Sequence, residues 1–179
     1  MKKTIVLFYS NTGNNRFLAQ KTAKTLGCAI EEIRPRIDSH VLILMGLSLG
    51  IRKIKADLEY YDRIILCGPI MVGKFLAPLK SFVKSYKKRI KSLIFLTCCG
   101  SSYEMKDKKF GHGLVFNQIK EILGEKCDLC QALPITLVVP EDKKEDAKYV
   151  METRLSDENF KGEILVRFGE FIQYMRNLE

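Results

Sequence analysis

Five short apolar runs divide the chain into strand-like segments. The runs are rich in β-branched and aromatic residues and do not alternate regularly with polar ones, which is typical of parallel strands covered on both faces. The predicted strands are residues 4–9, 28–33, 62–68, 92–97 and 133–139.

Between these runs, apolar residues recur at the spacing of an α-helix. The predicted helices cover residues 14–26, 41–51, 75–86 and 114–123, and a last helix is capped by Ser156 and runs through Met175. Strands that alternate with helices predict an α/β fold with three layers, α/β/α, built as a single domain over residues 1–179. Five strands favour the sheet order 2-1-3-4-5, in which ligands bind beyond the carboxyl ends of the strands.

The charge of the chain is basic. Its 179 residues carry a formal net charge of +9, to which lysine-rich segments at 84–89 and 106–109 contribute. Such a surface is either simply solvated or attracts acidic partners and anionic cofactors. Because no nucleic-acid-binding motif accompanies the charge, we expect no nucleic-acid partner.

Export and membrane insertion are not expected. The longest apolar run, residues 41–51, is too short to span a bilayer, and the first residues do not form a signal-peptide core. These features predict a cytoplasmic protein whose six cysteines are reduced thiols.

One C-x-x-C pair, Cys127 and Cys130, precedes the predicted fifth strand. A structural zinc site needs four ligands, and neither His40 nor His112 has matching spacing. We interpret the pair as incidental, with redox sensitivity as the alternative, and His112 as a solvated loop residue that could otherwise contact a substrate.

Three loops follow the first, third and fourth strands, at residues 10–15, 68–73 and 98–113. In the first of these, Gly13 allows the tight backbone curvature with which consecutive N–H groups bind an anion beside a helix N-terminus. The Ser10 and Thr12 hydroxyls and the Asn14 and Asn15 amides add neutral donors. An ordinary helix-capping turn has a similar composition, so these residues alone leave both interpretations open.

The amino-acid sequences of two loops resemble those of the flavodoxin family. Ser-Asn-Thr-Gly-Asn, directly after IVLFY, is similar to its phosphate-binding signature Ser/Thr-x-Thr-Gly-x-Thr and departs from it at Asn15. Residues 61–83 resemble the family's third strand, its flavin-edge loop and a helix that opens with Ala-Pro. Many members carry a tryptophan in that loop; this chain has no tryptophan, and Met71 lies nearest to that place.

The resemblance implies an FMN site made by the three loops, with no side chain acting as an acid or base. Among Met71, Val72 and Gly73, one backbone carbonyl would support the reduced flavin ring. The implied phosphate-binding residues are Ser10, Asn11, Thr12, Gly13, Asn14 and Asn15. The implied ring contacts are Pro69, Ile70, Met71, Val72, Gly73, Cys98, Cys99, Gly100, Ser101 and the stacking residue Tyr103.

The function implied by the resemblance is electron transfer between partner proteins. Flavodoxins are mostly acidic, so the basic charge of this chain favours acidic redox partners. An NAD(P)H-dependent FMN or quinone reductase on the same fold is a second possibility, favoured by the insert at residues 36–60 and the long third loop. A cofactor-free binding module that retains the fold is a third. The sequence leaves the partner and the oligomeric state open.

Overall fold

A computed structural model describes the chain over the ranges 2–37, 39, 42–43, 45, 47–71, 73–101 and 111–178. Statements below refer to these residues.

One five-stranded parallel sheet forms the centre of the fold. Its strands are β1 (Thr4–Phe8), β2 (Ala29–Glu32), β3 (Arg63–Cys67), β6 (Leu93–Thr97) and β7 (Cys127–Ala132). Their order is β2-β1-β3-β6-β7, and each neighbouring pair is parallel. A separate two-stranded hairpin, β4 (Ile70–Met71) with β5 (Lys74–Phe75), follows β3. The main sheet confirms the predicted α/β class and the strand order 2-1-3-4-5.

Helices cover both faces of the sheet. They are α1 (Asn14–Leu26), α2 (Ala77–Tyr86), α3 (Gly111–Leu123), α4 (Ala147–Glu152) and α5 (Glu163–Asn177). Apolar residues of α1, α4 and α5 form the core on one face, and those of α2 and α3 form the core on the other. Strands β3 and β6 are buried at every position, which explains why their sequences do not alternate. None of the helices described is long and apolar enough to cross a membrane.

The fifth strand lies earlier than predicted. Residues 127–132 form β7, whereas Ile135–Val138, inside the predicted strand 133–139, form a 3-10 helix. An edge strand has one free side, so β7 can carry exposed or half-buried polar residues such as Asp128 and Gln131 and lacks a continuous apolar signature. Pro134 has no N–H with which to extend the ladder.

Two helix boundaries also differ from the prediction. The predicted helix 41–51 does not reach its end, because residues 47–50 have no regular structure and Ile51 forms an antiparallel bridge with Pro35. Ser156 does not cap the last helix, which begins at Glu163 after Gly162, where φ is +66°.

The described part of the crossover from β2 to β3 packs onto the core. Ile51, Ile54 and Leu58 are buried on the α2 and α3 face. The Glu31 carboxylate accepts hydrogen bonds from the N–H groups of Lys55 and Ala56, at 2.7 and 2.9 Å. Burial and one carboxylate therefore hold residues 51–58 of this crossover against the core.

The close approach of α2 to the end of β3 gives a test of the packing. A Cβ on Gly68 would lie 2.5 Å from Cδ1 of Leu79, which is fully buried. We expect Gly68→Ala to lower the free energy of unfolding by about 1–3 kcal/mol through overpacking. Denaturant unfolding measures this loss.

The matched control is Gly169→Ala on the exposed side of α5, where an added Cβ meets nothing within 4 Å. It should raise stability by about 0.5–1 kcal/mol, because alanine favours the helix. Equal effects of the two substitutions would contradict the packing described here.

Candidate functional site at the carboxyl edge of the sheet

Loops from adjacent strands gather where the strand order reverses. Strand β1 lies between β2 and β3, and β3 pairs next with β6. The carboxyl ends of β1, β3 and β6 therefore bring together residues 10–13, the hairpin after Gly68 and residues 98–101. In open α/β sheets this switch point is the usual ligand crevice.

The first loop opens onto the N-terminus of α1. Gly13 has a φ of +98°, and its N–H donates to the Ser10 Oγ at 3.1 Å. Among the described residues no side chain caps α1, and a Cβ on Gly13 would meet nothing within 4 Å. The first-turn N–H groups thus keep their capacity to bind an anion beside an open space.

Asn15 joins the first loop to the third. Its side chain is 2% exposed; Nδ2 donates to the Cys98 carbonyl at 2.9 Å, and Oδ1 accepts from the Cys98 N–H at 2.8 Å. The Cys67 thiol, at the end of β3, donates to the Asn15 carbonyl at 3.4 Å. One residue therefore contacts the ends of β3 and β6 from the first turn of α1.

Asn14 makes a similar pair of bonds in another direction. Its Nδ2 donates to the Thr153 carbonyl at 3.2 Å, and its Oδ1 accepts from the Leu155 N–H at 2.9 Å. Both amides were predicted as phosphate donors. In the structure each holds the loop framework with its oxygen and its nitrogen, and the Ser10 and Thr12 hydroxyls and backbone N–H groups remain as the neutral donors beside Gly13.

The hairpin of the second loop is held from α3. The Gln118 Oε1 accepts from the Phe75 N–H, and its Nε2 donates to the Gly73 carbonyl, both at 3.3 Å. The Asn11 Nδ2 lies 3.7 Å from the Met71 Sδ, which links this hairpin to the first loop. Sequence reasoning missed Gln118; its only signal is a polar residue within the apolar spacing of α3.

Two neutral thiols occupy the start of the third loop. Cys98 and Cys99 are buried, and burial raises the pKa of both thiols above the usual value. Ser101 Oγ lies 3.1 Å from the Cys99 Sγ and 3.0 Å from the His112 Nδ1. His112 is 2% exposed and packs against Phe116, so the interpretation of a solvated histidine is wrong.

The remaining predicted ring contacts are only partly described. Pro69 and Ile70 are half-buried in the second loop, and Gly100 is exposed in the third. Val72 and Tyr103 lie outside the described residues.

The chemistry of this site is that of neutral binding groups. None of the described residues in the three loops, 10–13, 69–71, 73 and 98–101, is acidic or basic. Within the described part of the chain, His, Cys, Asp and Glu form no cluster that could hold a metal ion. The arrangement suits an anionic group at the start of α1 and a neutral body along the other two loops.

Comparison with known proteins identifies the fold. No protein-family model matches the sequence, and no curated protein matches it. A flavoprotein of Lactobacillus acidophilus, solved in complex with FMN, superposes with a TM-score of 0.61 and 16% identity over 83% of this chain and 99% of that one. Candidate flavoproteins of Bacteroides eggerthii and Bacteroides uniformis give TM-scores of 0.62 and 0.60.

The two Bacteroides proteins share 16% and 18% identity with this chain, over 84% and 85% of its length and 94% and 99% of theirs. At these identities the likeness concerns the fold. Together with the strand order, it shows that the chain has a flavodoxin-like fold.

The double hydrogen bond of Asn15 generates a test. Asn15→Ala leaves the N–H and carbonyl of buried Cys98 without their partner, and we expect it to lower the free energy of unfolding by about 2–4 kcal/mol. Asn15→Thr introduces the threonine of the flavodoxin signature, but its single hydroxyl cannot replace both hydrogen bonds of the amide. We expect this substitution to lower the free energy of unfolding by about 1–2 kcal/mol.

The control is Asn159→Ala, which removes an amide bonded to the Ser156 N–H and the Arg154 carbonyl in a more exposed turn. Denaturant unfolding of the three variants checks the order. A loss for Asn15→Ala no larger than that for Asn159→Ala would show that the link between the loops is unimportant.

Proposed function

We propose that this chain binds FMN at the carboxyl edge of its sheet and transfers electrons between proteins. The observation that carries the proposal is the uncapped, glycine-opened start of α1 at the switch point of a flavodoxin-like sheet. The likeness to a flavoprotein solved with FMN supports the choice of cofactor.

The first loop fits a phosphate group. Backbone N–H groups of the first turn and the partial positive charge of the helix N-terminus would bind the dianion. Ser10 and Thr12 hydroxyls would add hydrogen bonds, and the open space beside Gly13 leaves room for the oxygens. Asn14 and Asn15 act indirectly, by holding the loop in this conformation.

The second and third loops would contact the flavin ring. Met71, linked to Asn11, would offer a polarizable sulfur to one side, and the backbone of Gly100 and Ser101 would meet the polar edge. Gln118 would keep the hairpin in place. The raised pKa values of Cys98 and Cys99 keep both thiols uncharged, so they add no negative charge beside the ring. Bound FMN would supply one- and two-electron transfer, which the side chains of this chain lack.

A basic cleft beside the first loop favours acidic redox partners. Tyr9, Ser10 and Pro35 line part of this cleft of about 280 Å³, which also contains Arg16, Arg34 and Arg52. The Glu32 carboxylate binds Arg16 at 2.7 Å and Arg34 at 3.1 Å. Although partial burial opposes the shift, these hydrogen bonds hold the pKa of Glu32 below its usual value.

Arg52 is exposed and has no carboxylate partner among the described residues, so the cleft keeps an excess of positive charge. We infer that acidic partners dock here, next to the phosphate end of the cofactor site. This observation favours the electron carrier over the reductase, because it provides a surface for a protein partner.

The cofactor proposal is tested by comparing FMN with riboflavin, which lacks the phosphate. The cofactor-free protein is titrated with each flavin, and binding is monitored by the quenching of flavin fluorescence. FMN should bind at least about a hundredfold more tightly than riboflavin, because riboflavin cannot form the charge-assisted hydrogen bonds of the phosphate. Gly13→Ala should weaken FMN binding, since a side chain at φ +98° strains the loop and fills the open space.

Gly27→Ala is the matched control, because Gly27 also has a positive φ and open surroundings but lies at the other end of α1. It should destabilise the fold by about 1–2 kcal/mol and leave FMN affinity unchanged. Equal affinity for FMN and riboflavin, or no binding of either, would refute the proposed site.

Rapid NAD(P)H oxidation by the FMN-loaded protein with a quinone acceptor would identify a reductase instead of a carrier.

The docking proposal is tested with dithionite as a small anionic electron donor. Arg52→Glu should slow reduction of the FMN-loaded protein by roughly threefold at low ionic strength, because the approach of an anion is steered by local charge. The difference should vanish at high salt. Lys148→Glu makes the same charge change on α4, outside the cleft, and should leave the rate near that of the unmodified protein. Equal rates for the two variants would contradict the proposed role of the cleft.

A further inference from the structure

The C-x-x-C pair lies inside β7, at an irregularity of the strand. Leu93 is opposite Cys127, but its neighbour Ile94 is opposite Leu129, so Asp128 is the extra residue of a bulge. Without the bulge, residues three apart in a strand point to opposite faces of the sheet. With it, Cys127 and Cys130 both pack against the core on the α2 and α3 face.

The two sulfurs are in contact. The Cys127 Sγ lies 3.5 Å from the Cys130 Sγ, and both cysteines are free thiols and half-buried. A disulfide requires a sulfur separation of about 2.0 Å, so the two sulfurs must approach further before the bond can form. Strand β7 is at the edge of the sheet, and among the described residues no strand pairs with its outer side to resist that movement.

We propose that Cys127 and Cys130 form a redox-active dithiol that is oxidised to an intramolecular disulfide by exchange with a low-molecular-weight disulfide. In the first step the Cys127 thiolate attacks one sulfur of the small disulfide, forming a mixed disulfide and releasing one small thiolate. In the second step the Cys130 thiolate attacks the Cys127 sulfur and releases the other. The protein loses two protons and two electrons, and one small disulfide becomes two thiols.

The surroundings assign the first attack to Cys127. The hydrogen bond with Cys130 lowers the pKa of the Cys127 thiol against the effect of burial. Lys120 on α3 lowers this pKa further, whereas Asp128 raises it. The same hydrogen bond, together with burial, raises the pKa of Cys130. Cys28, another half-buried cysteine, has a pKa that burial raises, which makes it a suitable comparison.

This inference does not depend on the proposed cofactor. The pair lies on the edge strand, on residues that the three loops at the carboxyl edge do not use. A negative result for the dithiol would therefore not affect the FMN proposal, and a failure to bind FMN would not affect the dithiol proposal.

The test equilibrates the full chain in glutathione buffers of graded oxidised-to-reduced ratio, followed by acid quenching, alkylation and peptide mass mapping. The unmodified protein should lose two hydrogen atoms in one step and yield a linked Cys127–Cys130 peptide. Cys130→Ser should accumulate glutathione on Cys127 roughly tenfold more than the unmodified protein, because the intramolecular resolving thiol is gone. Cys28→Ser should form the disulfide as the unmodified chain does.

Two results would overturn the proposal. One is an unmodified protein that keeps both thiols in oxidised glutathione alone. The other is a glutathione adduct on Cys127 at the same level with and without Cys130. Mapping of the unmodified protein requires no substitution, so the test stands even where a variant folds poorly.

Discussion

The hydrogen bonds between the Asn15 side chain and the backbone of Cys98 are the constraint on which the candidate site depends. The loops that follow parallel strands lie at the carboxyl edge of the sheet, but the pairing of the strands does not fix the conformation of those loops. The Asn15 side-chain amide forms hydrogen bonds with both the N–H and the carbonyl of Cys98, and the Asn15 backbone carbonyl accepts a hydrogen bond from the Cys67 thiol. The start of α1 is thereby set against the ends of β3 and β6, and the open space beside Gly13 keeps a defined shape.

The distribution of charge follows from this arrangement. The described residues of the three loops are held by amides, thiols and backbone groups and include no ionic side chain, so their main electrostatic feature is the helix N-terminus. The positive charge lies outside it, and Arg16, Arg34 and Arg52 place part of it beside the first loop. A neutral crevice next to a basic cleft suits a site that holds an anionic cofactor and meets acidic proteins. In the proposed function, cofactor binding and partner docking would therefore use different parts of the same edge of the sheet.

Sequence patterns predicted the parts of this fold that are buried on both sides. Strands β1, β3 and β6 have continuous apolar signatures. Their alternation with helices predicted a parallel sheet, and the number of strands favoured the order 2-1-3-4-5. Strand β7 escaped prediction because an edge strand tolerates polar residues, and the bulge at Asp128 leaves no local signature. The use of Asn14 and Asn15 could not be foreseen, because their partners lie 83 to 141 residues away in the chain. The local sequence predicted a phosphate-binding loop, and tertiary contacts determine the hydrogen bonds that its two amides make.

The most direct measurement is an amide chemical-shift map of the isotope-labelled, cofactor-free protein during titration with FMN. If the three loops form one cofactor site, the largest changes should fall on Gly13, Asn15 and Arg16 and on the backbone near Gly73 and Gly100, with little change along β7. Changes confined to lysine-rich surface segments, or no saturable changes at all, would contradict the account.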